Sequence, residues 1–347
     1  MKMSSIVTNN LTKKNITLSE HEELFTEYFM AELESWFSAD IACCDNCYEQ
    51  FLEYWPLVYE ANDAEFQRSS ISLDCFYSGS MLSKIYSKEE YDVLKHTIHC
   101  PRCGAALYAN MWAYELSFSS DIDTFEFESK IEAITKLSKT TPFLLLKNDY
   151  ASKIHDLLHR LAKQIDKAPF GLPLYRARIS TQIERLDFKE FTVAPKKEIK
   201  EGRYNHAGDQ VLYLASDMQT CFYEVNKKLC FIAECSLNTD LKVLDLTKPD
   251  EVHETYGEEL KALVFSALMS KPLNTEGWDK PVYIFSRFIA DCAKSAGFDA
   301  IKYPSTKSLK NNFNLVIINE NIFNDFVEFK DMFFFDGNNH VKLSIKK

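Results

Sequence analysis

Two Cys-x-x-Cys pairs stand out chemically: Cys44-Asp45-Asn46-Cys47 and Cys100-Pro101-Arg102-Cys103. Each turn aims two thiolates at one point, and two such turns supply the tetrahedral sulfur set that zinc prefers. Gly104, directly after the second pair, suits a knuckle turn. Four thiolates close the coordination shell, so the spacing predicts a structural zinc on Cys44, Cys47, Cys100 and Cys103, not an open catalytic one. Cys43, His96 and His99 are alternative ligands, and two unrelated clusters of reduced thiols are the plain competing reading. The long insert between the pairs, helix-like and aromatic, must fold back to bring them together.

The second chemical stretch is Gly202-Arg203-Tyr204-Asn205-His206-Ala207-Gly208, continuing through Val211-Leu212-Tyr213-Leu214-Ala215-Ser216 to Glu224. The glycines permit a tight turn or a close backbone approach to a ligand. The apolar run 211–215 reads as a buried strand, and Ser216 or Asp217 can cap a following helix. A turn, a strand and a helix thus present Arg, Tyr, Asn, His and Glu near one another. An ordinary surface turn with a solvated Glu fits the same spacing.

With Leu174-Tyr175-Arg176-Ala177-Arg178 upstream and Gly297-Phe298-Asp299-Ala300-Ile301-Lys302-Tyr303-Pro304-Ser305 and Asn314-Leu315-Val316-Ile317-Ile318 downstream, this stretch resembles the signature of the RES domain. The resemblance covers about residues 170–325. Two departures stand against it. Lys307, Lys310, Asn311 and Asn312 occupy the place of a glycine before the last strand, and Arg176 and Arg178 compete for the family arginine. Arg176 is preferred because it follows Tyr175.

The resemblance implies a fold like that of ADP-ribosyltransferases, NAD⁺ as substrate, and attack at the nicotinamide–ribose bond. It implies a toxin, within a toxin–antitoxin pair or in anti-phage defence. The ribose develops oxocarbenium character as nicotinamide leaves, as in glycoside cleavage. A carboxylate stabilises that charge, which assigns Glu224; a guanidinium grips the diphosphate, which assigns Arg176 with Arg203 assisting. Ser305 would orient the ribose or an attacking phosphate. Tyr213 offers a ring face to nicotinamide, or is a core aromatic, and Tyr204 and Asn205 line the turn. The acceptor stays open between water, phosphate and a protein side chain, and a non-catalytic zinc-containing interaction module is the other reading.

The elements that must position these residues divide the chain in two. Residues 1–150 hold 12 Lys and Arg against 24 Asp and Glu, and residues 151–347 hold 28 against 27. The acidic half is a poor match for nucleic acid. It suits a basic partner, and restraint from a cognate antitoxin, from the acidic half itself, or assembly into a homo-oligomer all remain open. No apolar run approaches a membrane span, and residues 1–18, read as disordered, carry no secretory signal. The expected place is the cytoplasm, with reduced cysteines.

The first half is expected to be a mostly helical domain built on the stripe Leu24, Phe25, Tyr28, Phe29, Leu33, Trp36 and Phe37. It contains no Arg spaced from a His as a HEPN-type ribonuclease would need, and His155 and His159 read as a solvated helix face. Residues 126–137 and 151–165 read as helices. From Leu174 short apolar runs predict a mixed α/β domain, so that the whole is α+β. Strands are expected at 174–178, 211–215, 231–236, 242–246, 300–303 and 314–318, with helices at 216–228, 258–269 and 282–295. The aromatic C-terminal stretch from Asp325 should pack back on a domain.

Overall fold

The structure is a computed structural model. It describes residues 18–37, 39–54, 69–100, 102–115, 124–247, 260, 263, 283–305 and 312–344. The expected disorder before residue 18, part of the insert between the Cys pairs, most of the 258–269 helix, and Lys307, Lys310 and Asn311 lie outside the described residues. The chain divides into two compact units, Met1–Ser117 and Phe118–Lys347. The division thus falls earlier than residue 150: the helices at 124–140 and 149–164 pack with the second unit.

In the first unit, α1 (Leu18–Phe37) presents Phe25, Phe29 and Leu33 at helical spacing, and all three are buried. Their rings meet others edge-on, Phe25 against Tyr86 at 5.1 Å and Phe29 against Phe76 at 5.0 Å. These three members of the expected stripe are core, as their periodicity predicts, Leu24 and Tyr28 are half-buried, and Trp36 is exposed. The unit is less purely helical than its sequence suggests. β1 (Ala39–Cys44), β2 (Ile71–Ser72) and β3 (Asn110–Glu115) form an antiparallel sheet ordered β1-β3-β2. Helices α2 (Tyr48–Tyr54), α3 (Leu73–Gly79), α4 (Leu82–Ile85) and α5 (Lys88–Leu94) surround it.

The second unit opens with α6 (Thr124–Thr140) and α7 (Asp149–Gln164). On α7, Ala151, Ile154, Leu157, Leu158, Leu161 and Ala162 form one buried stripe, and Asn148 caps the helix by accepting from the N–H of Ala151 at 3.0 Å. An eight-stranded sheet follows, built from β5 (Leu174–Ile179), β6 (Leu212–Ala215), β7 (Cys230–Leu237), β9 (Val243–Asp245), β10 (Ala300–Pro304), β11 (Phe313–Ile317), β12 (Val327–Phe335) and β13 (His340–Lys342). Its order is β13-β12-β7-β5-β6-β11-β10-β9, antiparallel throughout except at β10–β9. Outside it, β4 (Ala168–Pro169) pairs with β8 (Asp240–Leu241). The aromatic C-terminal stretch is β12, paired along its whole length with β7.

Side chains alternate across a strand, so the register sorts residues by face. Tyr303, Asn314, Ala215 and Tyr175 stand opposite one another on four neighbouring strands and share one face. Tyr213, Val316 and Ile301 follow on the same face, and α9 (Ile284–Ala296) packs there with α7. Leu174, Leu212, Leu214, Leu315 and Ile317 form the core of the opposite face, with Ile322 and Phe323 of α10 (Glu320–Asp325).

Candidate functional site

The first candidate site is the thiol cluster. β1 delivers Cys44, and the N–H of Cys47 donates back to its carbonyl at 2.9 Å. In the second knuckle the N–H of Gly104 donates to Cys100 O at 2.8 Å, with Gly104 at φ +70°. All four sulfurs lie within 4.8 Å of one another. Cys44 and Cys103 are 3.6 Å apart and Cys47 and Cys100 3.8 Å. A tetrahedron with metal–sulfur bonds of ~2.3 Å has edges of ~3.8 Å, so this donor set fits a metal ion.

The surroundings also hold the knuckles together. Asp45 accepts from both the backbone N–H and the side-chain amide of Asn110, at 2.6 and 2.9 Å, and so ties the first knuckle to β3. Arg102 is buried, donates to Ala42 O at 2.9 Å and stacks 4.6 Å from the Phe51 ring. Burial pushes the Cys44 thiol up to about 11, with Cys47 and Cys103 adding. A cation would stabilise the thiolates that burial and crowding oppose. Of the alternative ligands, none belongs to this set of four: Cys43 is the buried neighbour of Cys44, and His96 and His99 engage the carbonyls of Leu107 and Thr97 through Nδ1.

The second site is built on the sheet face that carries Tyr303, Asn314 and Ala215. The turn 201–209 is held against α9 by four side-chain contacts. Arg287 pairs with Glu201 at 3.0 Å, with the two side chains only 5% and 9% exposed. Ser286 donates to Arg203 O at 2.7 Å, His206 meets Asp291 at 2.9 Å, and Lys294 pairs with Asp209. Within the turn, the Tyr213 hydroxyl donates to Asn205 Oδ1 and accepts from the Tyr204 N–H, both at 3.0 Å. Asn205 donates to the carbonyls of Lys200 and His206. Tyr204 and Asn205 are therefore buried struts of the turn.

Arg203, half-buried, has its guanidinium 5.8 Å from the Tyr283 ring and 5.7 Å from the Tyr303 ring. Burial works against its charge, but Tyr283, Tyr303, Tyr204 and the carboxylate of Glu224 outweigh it and hold the group above its ordinary value. Burial likewise raises Tyr213 and Tyr303 further above their ordinary value. Glu224 closes α8 (Met218–Glu224), which Asp217 caps by accepting from the Thr220 N–H at 2.8 Å. The helix stops sooner than residue 228 because Asn226 and Lys227 turn to positive φ. Glu224 is exposed, and its Oε1 accepts from the Asn314 amide at 3.0 Å.

Arg176 lies elsewhere. It follows Tyr175 on β5, so it points to the opposite face from Tyr303 and Asn314. β5 and β6 pair only at Tyr175–Ala215, and Arg176 spans the gap beyond: Nη1 donates to Tyr213 O at 3.0 Å and Nη2 to Thr192 O at 3.3 Å. It is 8% exposed, and its buried Nε has no hydrogen-bond partner among the described residues. Burial, with Arg178 adding, pulls it down to about 9. Arg178 on the same face donates to Glu190 O at 2.9 Å. Ser305 follows β10 directly, with its N–H bonded to Asn312 O at 3.3 Å.

The structure thus brings Arg203, Tyr204, Asn205, Tyr213 and Glu224 to one face and leaves Arg176 behind it. Sequence reasoning did not single out Asn314, Tyr283 or Tyr303 as members of the site. The signal for Asn314 was present: it is the polar residue in an otherwise apolar strand.

The family model described as RES domain matches residues 173–333. No curated protein matches the chain. Among solved structures, a chain of the M. tuberculosis MbcT–MbcA toxin–antitoxin complex is similar at 17% identity, over 54% of this chain and 92% of that one, with a TM-score of 0.35. The span matched by the RES domain model, residues 173–333, holds Arg203, Glu224 and Asn314.

Proposed function

We propose that the RES domain cleaves NAD⁺ at the nicotinamide–ribose bond and that the chain acts as a toxin or defence effector. The observation that carries this reading is the exposed Glu224 carboxylate, bonded to Asn314, whose cross-strand neighbour Tyr303 lies under the Arg203 guanidinium, inside the segment that matches the RES domain. Nicotinamide leaves neutral from a cationic precursor, so no general acid is required. The electron pair of the breaking C–N bond goes to the nicotinamide nitrogen, and the ribose carbon takes up positive charge. Glu224 stabilises that charge. An attacking water or phosphate forms the new bond and, for water, gives its proton to solvent.

Arg203 takes the diphosphate in this reading. It shares the face of Glu224, and a guanidinium can bind phosphate oxygens through paired donors. Arg176 becomes the support of β6, because its outer N–H groups already serve two carbonyls. Tyr213 is a strut whose ring packs against the core on that face, and Ser305 orients the ribose. The thiol cluster of the first unit takes zinc as a structural cross-link, since its four sulfurs leave no open coordination position. RES-type toxins imply a cognate antitoxin as partner. Among the described residues no helix is long and apolar enough to cross a membrane.

The test is incubation of the purified full chain with NAD⁺, with and without phosphate, followed by product separation. ADP-ribose indicates hydrolysis, ADP-ribose-1″-phosphate phosphorolysis, and labelled protein ADP-ribosylation. Unchanged NAD⁺ under all conditions would overturn the enzymatic reading and favour a binding module.

A further inference from the structure

β11 is apolar along its length except at one position. Phe313, Leu315, Val316 and Ile317 are buried, and so is Asn314, at 6% exposure. A buried amide in such a strand costs free energy unless it is hydrogen-bonded. The Asn314 side chain has its bond to Glu224 Oε1, at 3.0 Å.

The two partners differ in how firmly they are held. Asn314 sits mid-sheet, paired with Tyr303 on one side and Ala215 on the other. Ala215 carries only a methyl group and leaves room above the sheet for the end of α8. Glu224 is the last residue of that seven-residue helix, and beyond Val225 come two residues at positive φ, Asn226 and Lys227. A long side chain at a helix end has several rotamers to choose from. The amide is thus the fixed member and the carboxylate the member being fixed. An amide also orients a carboxylate without cancelling its charge, as a lysine would. That is what a group facing a developing cation requires.

We propose that Asn314 is a positioning residue for Glu224, setting the carboxylate against the reacting ribose carbon. The proposal rests on the reading of Glu224 given above. Its test is Asn314→Leu, which matches the amide in size and suits the apolar neighbours. The expected result is an unchanged or raised Tm, a kcat for NAD⁺ lowered about 10- to 100-fold, and a KM within about threefold of wild type. A residue with a merely structural role would lower Tm instead. Should the Leu variant fail to fold, Asn314→Ser, which keeps a short donor, carries the same comparison.

The deciding step is a double-mutant cycle with Glu224→Gln. If Asn314 acts through the carboxylate, the Leu substitution changes kcat by no more than about twofold once the charge is gone. An equal loss of kcat in both backgrounds overturns the proposal, as does full kcat in a folded Leu variant. A wild type that leaves NAD⁺ intact refutes the activity, and the pairing is then read by unfolding. Non-additive effects of Asn314→Leu and Glu224→Ala on stability support it, and additive effects overturn it.

Discussion

Replacing Gly202 by Ala tests whether the Arg203 turn is built on close approach. A Cβ at Gly202 would lie 2.3 Å from Asn205 Oδ1 and 2.9 Å from the Tyr213 hydroxyl. Neither atom can swing away cheaply. Asn205 is 3% exposed, and its amide is bonded to Lys200 O and His206 O while its Oδ1 accepts from Tyr213. Making room breaks or bends these three bonds, each worth about 1 kcal/mol net. Overpacking adds about 1–3 kcal/mol. Some strain will relax, so a loss of about 2–5 kcal/mol is expected, or roughly 5–15 °C in Tm for a unit of this size. Gly171 is the internal control: no atom lies within 4 Å of its would-be Cβ, and Gly171→Ala should stay within ~0.5 kcal/mol. Thermal unfolding followed by near-UV circular dichroism compares the two. Equal Tm values for both variants and wild type would refute the steric reasoning, and the Asn205–Tyr213 lock would then be looser than its distances imply.

Cys44→Ser or Cys103→Ser should lose bound metal and destabilise residues 1–117, with elemental analysis finding about one zinc per wild-type chain; a folded, metal-free wild type would remove the zinc reading. Glu224→Gln keeps the side-chain shape and removes the charge, so kcat should fall about 10²- to 10³-fold and growth arrest on expression should be relieved; an equally expressed and equally toxic Gln variant would exclude Glu224 as the stabilising carboxylate. Asp299 is buried, which opposes its charge, but Lys167 at 2.8 Å, the Lys242 N–H at 2.8 Å and the Asn319 amide at 2.7 Å outweigh burial and hold it below the ordinary carboxylate value. Its contribution is therefore full above the unfolded value of about 3.9 and fades as pH falls through the lower folded value. Asn at this position should cost about 1.5–3 kcal/mol at pH 7, with the gap to wild type closing below about pH 4. A gap constant from pH 7 to pH 3 would show that the charge does not matter.

Much of the fold could be read from pattern. The six strands expected from Leu174 onward all form, with no end shifted by more than one residue, because each is a short stretch rich in apolar residues bounded by turn residues. The helix over 151–165 is legible from its buried stripe, which recurs at three- and four-residue steps. Pattern failed where long-range pairing decided the outcome. β12 alternates Val327 and Phe329 with Glu328 and Lys330 before the run Met332–Phe335, and its place in the sheet comes from pairing with β7 on one side and β13 on the other. The three-stranded sheet of the first unit depends on the second Cys knuckle being brought back to the first, which no local periodicity records.

The two arginines show where sequence order stops and register begins. A motif places Arg176 and Glu224 in one list of site residues, since both belong to short segments in the right order. A strand, however, sends neighbours to opposite faces. Tyr175, not Arg176, shares the row of Ala215, Asn314 and Tyr303, and a one-residue shift in β5 would exchange them. That register is pinned by six consecutive pairings with β7, from Leu174–Cys235 to Ile179–Cys230. Arg176 is thereby committed to the gap that β6 leaves, where its donors replace the missing ladder bonds to Tyr213. Arg203 comes from a turn, free of strand alternation, and α9 holds it on the face of Glu224 through Ser286 and the Arg287–Glu201 pair. The guanidinium beside the carboxylate is therefore the one whose backbone is irregular, and its location depends on a helix more than 80 residues downstream.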